Sequence, residues 1–313
     1  MIELFARSPG MREAVGLAER VSSTDANVLI TGESGAGKDV LASFIHWKSR
    51  RALQPLVKID CATVPGELLE AELFGYERGA FSGASEAKPG RFEAAQKGTV
   101  VLDEIAHLST EAQAKLLRVI ETREFERLGG RHTIKLDARL IALTNVDLGQ
   151  AVKAGRFRED LFYRLDVIHI RVPPLRERKE DLSKLIKHFV KHYSAKHGRK
   201  LDGVSAPALA LLRAYDYPGN ARELGNIIER VVIVAAGKSI DERDLPLSLS
   251  AAVKAHRLND RPRTLAEIEA SYIAEVLART NGNKTECARI LGISRKNLYE
   301  KIASYDLNRG SNG

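Results

Sequence analysis

Two short segments of this 313-residue chain carry side chains in an order that phosphate chemistry requires. The first is Gly32-Glu33-Ser34-Gly35-Ala36-Gly37-Lys38-Asp39, set between an apolar run at residues 27–31 and a helical stretch from Asp39 to Ser49. Glycines let successive backbone N–H groups face an anion, the N-terminus of the following helix adds its dipole, and a lysine reaches the β- and γ-phosphates. The second is Val100-Val101-Leu102-Asp103-Glu104, an apolar strand ending in two carboxylates. There the first acid suits Mg²⁺ and its neighbour suits the attacking water. Either segment alone has a bland reading, a glycine-rich turn or a strand with an acidic end. Together they predict a site that binds and hydrolyses ATP, with Asp103 holding Mg²⁺ and Glu104 acting as base or water positioner. Asp39 stands where the general motif has a Ser or Thr for the metal.

A different chemistry is written into the C-terminus. Leu265, Ile268, Tyr272, Ile273, Val276 and Leu277 recur at helical spacing and predict a packing face. Asn281-Gly-Asn follows, then a second helix from Lys284 to Leu291, a turn at Gly292 and a third helix capped by Ser294. Two short helices joined through a glycine turn have helix-turn-helix geometry, whose last helix enters the major groove of double-stranded DNA. From Lys284 to Lys301 five basic residues face two acidic ones, a local net of +3. Arg295, Lys296, Asn297 and Tyr299, early in the last helix, are the candidates for base or phosphate contact.

Positioning these residues requires a scaffold, and its outline is readable. Strand candidates at residues 27–31, 56–59, 99–102, 138–142 and 167–172 alternate with helices such as Thr110–Glu121. That alternation predicts an α/β fold with a parallel sheet covered on both faces. Strand signals cease after Pro173-Pro174, and residues 180–245 read as helices only. The expected division is an α/β ATPase unit at 1–172, a helical lid at 173–247, a linker at 248–263 and a three-helix DNA-binding domain at 264–308. The overall net charge of +8 is by itself weak support for a nucleic-acid partner. Two distant cysteines, Cys61 and Cys287, exclude a disulfide framework and predict a reducing, cytoplasmic setting. The sequence has neither a signal peptide nor an apolar run long enough for a bilayer, so no membrane association is expected.

Between the two phosphate-site segments lies Glu72-Leu-Phe-Gly-Tyr-Glu-Arg-Gly79-Ala80-Phe81-Ser82-Gly83-Ala84. It resembles the GAFTGA loop of the AAA+ activators of sigma-54 RNA polymerase, the NtrC-like enhancer-binding proteins. The likeness runs from about Leu4 to Leu307. It takes in Phe157-Arg-Glu-Asp-Leu-Phe-Tyr-Arg164-Leu, Pro173-Pro-Leu-Arg-Glu-Arg178 and Tyr217-Pro-Gly-Asn-Ala-Arg222-Glu-Leu. The tail resembles the Fis-type module of the same family. From the residues alone, Phe81 among small residues suits either partner binding or a ring tucked back on its own domain. The resemblance implies that Gly79, Ala80, Phe81, Ser82, Gly83 and Ala84 engage sigma-54. It further implies that Asn145 senses the γ-phosphate, that Arg222 is a second sensor on the lid, and that Arg158 and Arg164 are fingers reaching a neighbouring subunit. Such fingers require assembly, so a hexameric ring is expected, with the tail binding DNA as a dimer.

The implied function is ATP-driven remodelling of the sigma-54 RNA polymerase holoenzyme from an upstream DNA site. The main alternative is a DNA-binding regulator that keeps the AAA+ fold for assembly and does not remodel sigma-54. An unrelated AAA+ loader would not need the Phe81 loop. Departures from the family are Ser82 for Thr, Cys287 for Ala, and Asp60 where many members have an Asn that pairs with the catalytic Glu; Asp39 is a Glu in many members. The resemblance begins almost at Met1, which predicts control by a separate partner or a truncated member without an N-terminal regulatory domain.

Overall fold

The computed structural model describes residues 4–64, 66–251, 264–280, 282–305 and Leu307. The chain divides into two compact units, residues 1–250 and 251–313.

The first unit is built on five parallel strands: β1 (Val28–Thr31), β2 (Leu56–Asp60), β5 (Thr99–Asp103), β8 (Arg139–Thr144) and β9 (Ile168–Arg171), in the order β2-β5-β8-β1-β9. Burial on both faces explains why the strands read as continuous apolar runs, and the strand period of two sorts them. Val28, Ile30, Val101, Ile141, Leu143 and Ile170 enter the core under α1 (Pro9–Ser22) and α2 (Lys38–Trp47). Leu29, Val100, Leu102, Leu140 and Ala142 point the other way. They meet α3 (Gly66–Phe74), α4 (Arg91–Ala94), α5 (Thr110–Thr122), α6 (Leu148–Lys153) and α7 (Glu159–Leu165). Because all five strands run in one direction, their C-terminal ends deliver Thr31, Asp60, Asp103 and Thr144 to one edge, where ligands bind in open α/β sheets.

Two small ribbons that alternation did not show lie beside α3 and α5: β3 (Gly75–Tyr76) with β4 (Lys88–Pro89), and β6 (Glu124–Glu126) with β7 (Thr133–Lys135). A bridge from Tyr76 to Leu128 joins them. Residues 179–234 supply α8 (Lys179–Lys196), α9 (Ala206–Ala214) and α10 (Asn220–Val234), with α8 packed on α10. This region is not wholly helical as the sequence suggested. β10 (Gly203–Val204) and β11 (Ser239–Ile240) form a short parallel pair, too brief to carry a periodic signal. Residues 247–251 are helical and Leu249 is buried; of the stretch read as a linker, residues 252–263 lie outside the described residues.

The second unit contains α11 (Leu265–Arg279), α12 (Lys284–Leu291) and α13 (Arg295–Ser304), closed around Ile273, Val276, Cys287, Ala288, Leu298 and Ile302. The Ser294 cap and the Gly292 turn are those expected, and Asn283 caps α12 as well. Asn283 accepts the N–H groups of Thr285 and Glu286, Ser294 accepts that of Asn297, and Gly292 ends α12 at φ +68°. Among the described residues no helix is long and apolar enough to cross a membrane.

Candidate functional site

The glycine-rich loop leaves β1 and enters α2, so Lys38 is the first residue of that helix. Its side chain is buried, and Nζ donates to the carbonyls of Gly32 at 2.9 Å and Glu33 at 3.3 Å. Burial lowers its pKa, opposed by the carboxylates of Glu104 and Asp103. Glu104 Oε1 lies 3.8 Å from Nζ, and its Oε2 accepts the backbone N–H of Asn145 at 3.2 Å. Glu104 adopts φ +51°, a left-handed conformation that costs a non-glycine residue about 1 kcal/mol or more and is typical of strained functional sites. The kink turns the carboxylate from the strand toward the phosphate loop.

Asp103 accepts the Glu104 N–H at 3.0 Å, and burial together with the Glu104 charge raises its pKa. An anion raised by its surroundings gains from a cation placed against it. Asp103, an oxygen donor at the strand end beside the phosphate loop, therefore suits a hard divalent ion such as Mg²⁺. Asp39 is half-exposed and ion-paired with Lys58. Asp60 is the register partner of Asp103, yet its carboxylate accepts the N–H of Ala62 at 2.9 Å.

A cavity of about 320 Å³ opens over this site, lined among others by Ser34, Lys38, Asp103, Glu104 and Arg222. Arg222 Nη1 donates to Ser34 Oγ at 2.8 Å, which brings the lid residue onto the phosphate loop. The loop is gripped at every residue from 33 to 36. Glu33 forms a two-pronged ion pair with Arg176 at 2.8 and 2.6 Å, and this pair with the Asn220 amide holds its carboxyl down at about 2. Asn220 also donates to the Ser34 carbonyl, Ala221 N–H donates to the Gly35 carbonyl at 3.0 Å, and buried Arg178 donates to the Ala36 carbonyl at 2.6 Å. Arg176, Arg178 and Asn220 stand in the segments Pro173–Arg178 and Tyr217–Leu224 that carry the family likeness, but the sequence alone assigned them no task. Glu33 was read as one more residue of the phosphate cradle, and its side chain faces the lid.

Arg158 and Arg164 are exposed and stand outside this cavity. Arg158 is held by Asp160 in the first turn of α7, at 3.0 and 2.7 Å, and Arg164 is held by Glu121 at 3.1 Å. Gly79–Ala84 forms the tip between β3 and β4. The tip is closed on itself by hydrogen bonds from Gly79 N–H to the Ala84 carbonyl at 2.8 Å and from Ala84 N–H to the Phe81 carbonyl at 3.0 Å. Phe81 packs edge-on against Tyr76 at 4.9 Å yet stays 40% exposed, while Ser82 is exposed and Ala84 buried. Arg127 ties Glu77 to Glu93 beneath the tip.

In the C-terminal unit Arg295, Lys296, Asn297 and Tyr299 are all exposed on α13, and Lys284 Nζ sits 4.8 Å over the Tyr299 ring. Two of the five basic residues counted there are drawn into ion pairs, Arg289 with Glu286 and Lys301 with Glu269. The positive surface therefore narrows to Lys284, Arg295 and Lys296. The expected packing face of α11 also divides. Ile273 and Val276 are buried, but Leu265, Ile268 and Tyr272 are 86%, 49% and 51% exposed. The helix is longer than the two it packs against, so its first turns overhang this small core.

Comparison with known proteins places these sites in context. Residues 4–171 match the Sigma-54 interaction domain, residues 176–261 the AAA+ ATPase lid domain, and residues 264–305 the Fis family of bacterial regulatory proteins. The chain is 45% identical to the regulatory protein AtoC of Escherichia coli over 312 residues, covering 97% of this chain and 68% of that one. It is 44% identical to the transcriptional regulatory protein FlbD of Caulobacter vibrioides, covering 96% and 70%. Among solved structures it resembles NtrX of Brucella abortus in complex with ATP, with a TM-score of 0.75 and 33% identity over 97% of this chain and 70% of that one.

Proposed function

The chain belongs to the AAA+ sigma-54 activator family with a Fis-type helix-turn-helix, and from that premise we propose that it hydrolyses ATP to remodel sigma-54 RNA polymerase from an upstream DNA site. The observation that carries the reading is the meeting of Lys38, Asp103, Glu104 and Arg222 around one cavity, with the Phe81 tip on the separate β3–β4 ribbon of the same unit. NtrX, 33% identical over the 70% of its chain that is covered, was solved in complex with ATP.

In this reading the triphosphate replaces the interactions that Lys38 makes with Gly32 and Glu33. Loop N–H groups at the start of α2 cradle the phosphates, and Lys38 and Arg222 spread the negative charge of the β- and γ-groups. Asp103 would hold Mg²⁺, which would supply positive charge against the phosphate oxygens. Glu104, already bent toward the loop, turns from Lys38 to orient the attacking water and take its proton. Asn145, whose N–H is bound to Glu104, links that movement to the end of β8. Arg158 and Arg164, remote from the cavity of their own subunit, complete the site of a neighbour in a ring, taken to be a hexamer.

The Phe81 tip delivers the stroke: an exposed ring among small residues gives a partner a compact apolar anchor, and the Arg127 pairs stiffen its base. The tail docks α13 in the major groove, and the exposed Leu265, Ile268 and Tyr272 stripe is where a second copy would pack. The working boundaries are 1–172, 173–247, 248–263 and 264–308. Glu104→Gln is expected to bind ATP while turnover falls at least about 10²-fold, and Lys38→Ala to lose ATP binding. ATP titrations beside phosphate-release rates check both, and normal turnover in the Glu104 variant contradicts its role.

A further inference from the structure

The turn Tyr217–Asn220 holds two non-glycine residues in the left-handed region, Tyr217 at φ +53° and Asn220 at φ +54°. Such conformations persist only where the surroundings over-determine them. Here both side chains are buried and committed. Tyr217 hydroxyl donates to the Leu212 carbonyl at 2.6 Å. Asn220 Oδ1 accepts the Leu175 N–H at 2.7 Å, and Nδ2 donates both to Glu33 Oε2 and to the Ser34 carbonyl at 3.0 Å. One amide thus joins three parts of the fold: the entry to the lid, the phosphate loop and the first turn of α10. Its orientation is fixed, since exchanging N and O would set an acceptor against two acceptors. Glu33, held at both oxygens by Arg176, closes the same ring of contacts.

We infer that Asn220 is a positioning residue that locks the first turn of α10 onto the phosphate loop, so that Arg222 two residues later stands over the triphosphate. The inference rests on the role proposed above for Arg222. Without the Asn220 amide, α10 keeps its packing on α8 but loses the side-chain bonds that register its N-terminus. Arg222 then samples positions away from Ser34, and its charge is delivered to the phosphates only part of the time.

A double-mutant cycle in the full chain tests this, using Asn220→Gly, which tolerates the left-handed backbone, with Arg222→Ala and their combination. The readout is kcat/KM for ATP hydrolysis. Each single variant is expected to lose about tenfold, and the double variant no more than about twofold beyond the weaker single, because both remove the same delivered charge. A merely structural Asn220 gives losses that multiply, about a hundredfold in the double variant, and that result overturns the inference. Full activity in Arg222→Ala also overturns it, but by removing the Arg222 role first, so the two failures are told apart. Thermal unfolding checks that Asn220→Gly is folded. If it is not, Glu33→Gln takes its place in the cycle, with the same expectation and the same refuting outcome.

Discussion

At Gly35 the phosphate loop sits directly against the lid, so a single methyl group there measures how far nucleotide binding depends on that contact. The residue sits at φ +72°, and a Cβ built on it would lie 2.4 Å from the Gly219 carbonyl oxygen and 2.9 Å from the Arg222 Cβ. Real Cβ atoms essentially never approach below 3.0 Å, so backbone on one side must retreat by several tenths of an ångström. The bonds spanning the same contact have little reach to spare: Ala221 N–H to the Gly35 carbonyl is 3.0 Å and Arg222 to Ser34 is 2.8 Å. Losing both at about 1 kcal/mol each, plus about 1 kcal/mol for alanine in a left-handed conformation, gives about 3 kcal/mol. Expressed as lost affinity, that is about 10²-fold in Kd. The assay is calorimetric titration of ATP into Gly35→Ala on a Glu104→Gln background, so that nucleotide is not consumed. A Kd within threefold of the Glu104→Gln parent refutes the reasoning that the lid must sit on the loop to hold nucleotide.

Two further outcomes follow from the surface residues. Arg158→Ala or Arg164→Ala is expected to bind ATP while losing hydrolysis, on the order of 10³–10⁵-fold for a true finger. Mixing either with Lys38→Ala protein is expected to restore part of the rate, and unchanged phosphate release in both single variants and their double excludes a role in trans. In the tail, Arg295→Ala and Asn297→Ala are expected to separate by kind in binding titrations at several salt concentrations. A lost base contact costs about 1–3 kcal/mol at one base pair, whereas a lost phosphate contact weakens all sequences and lowers the salt slope by about one. Truncation before Leu265 is expected to abolish site-specific DNA binding, and discrimination surviving that truncation places the reading element elsewhere.

What the sequence makes legible is local. Lys38 and the Asp103–Glu104 pair announce themselves because a loop and a strand end are contiguous chemistry, and the sheet then needs only to bring the two segments together, as the 3.8 Å contact shows. The caps of α12 and α13 are equally local. The ribbons at 75–76, 88–89 and 203–204 are too short for any period to show, and their partners are distant in the chain. Asn220 is hidden for the same reason: its contact with Glu33 spans 187 residues, and nothing within four positions of it hints at that carboxylate. Arg289 and Lys301 counted as free positive charge until the fold supplied their partners, one of them Glu269 on another helix. The α11 face misled because periodicity marks an apolar stripe without saying how much of it the domain has partners to cover.

The central claim is that nucleotide hydrolysis at Lys38, Asp103 and Glu104 is delivered to sigma-54 through the Phe81 tip. Its most direct test is open-complex formation on a sigma-54 promoter with purified polymerase, ATP and the Phe81→Ala protein, alongside phosphate release from the same sample. Phe81 lies outside the cavity, is 40% exposed and packs edge-on against Tyr76 of its own ribbon, so the account predicts ATPase activity within about twofold of the parent, a surface substitution's scale, and no open complexes. Full promoter opening by Phe81→Ala contradicts it, and would leave the chain as a DNA-bound regulator whose ATPase fold serves assembly.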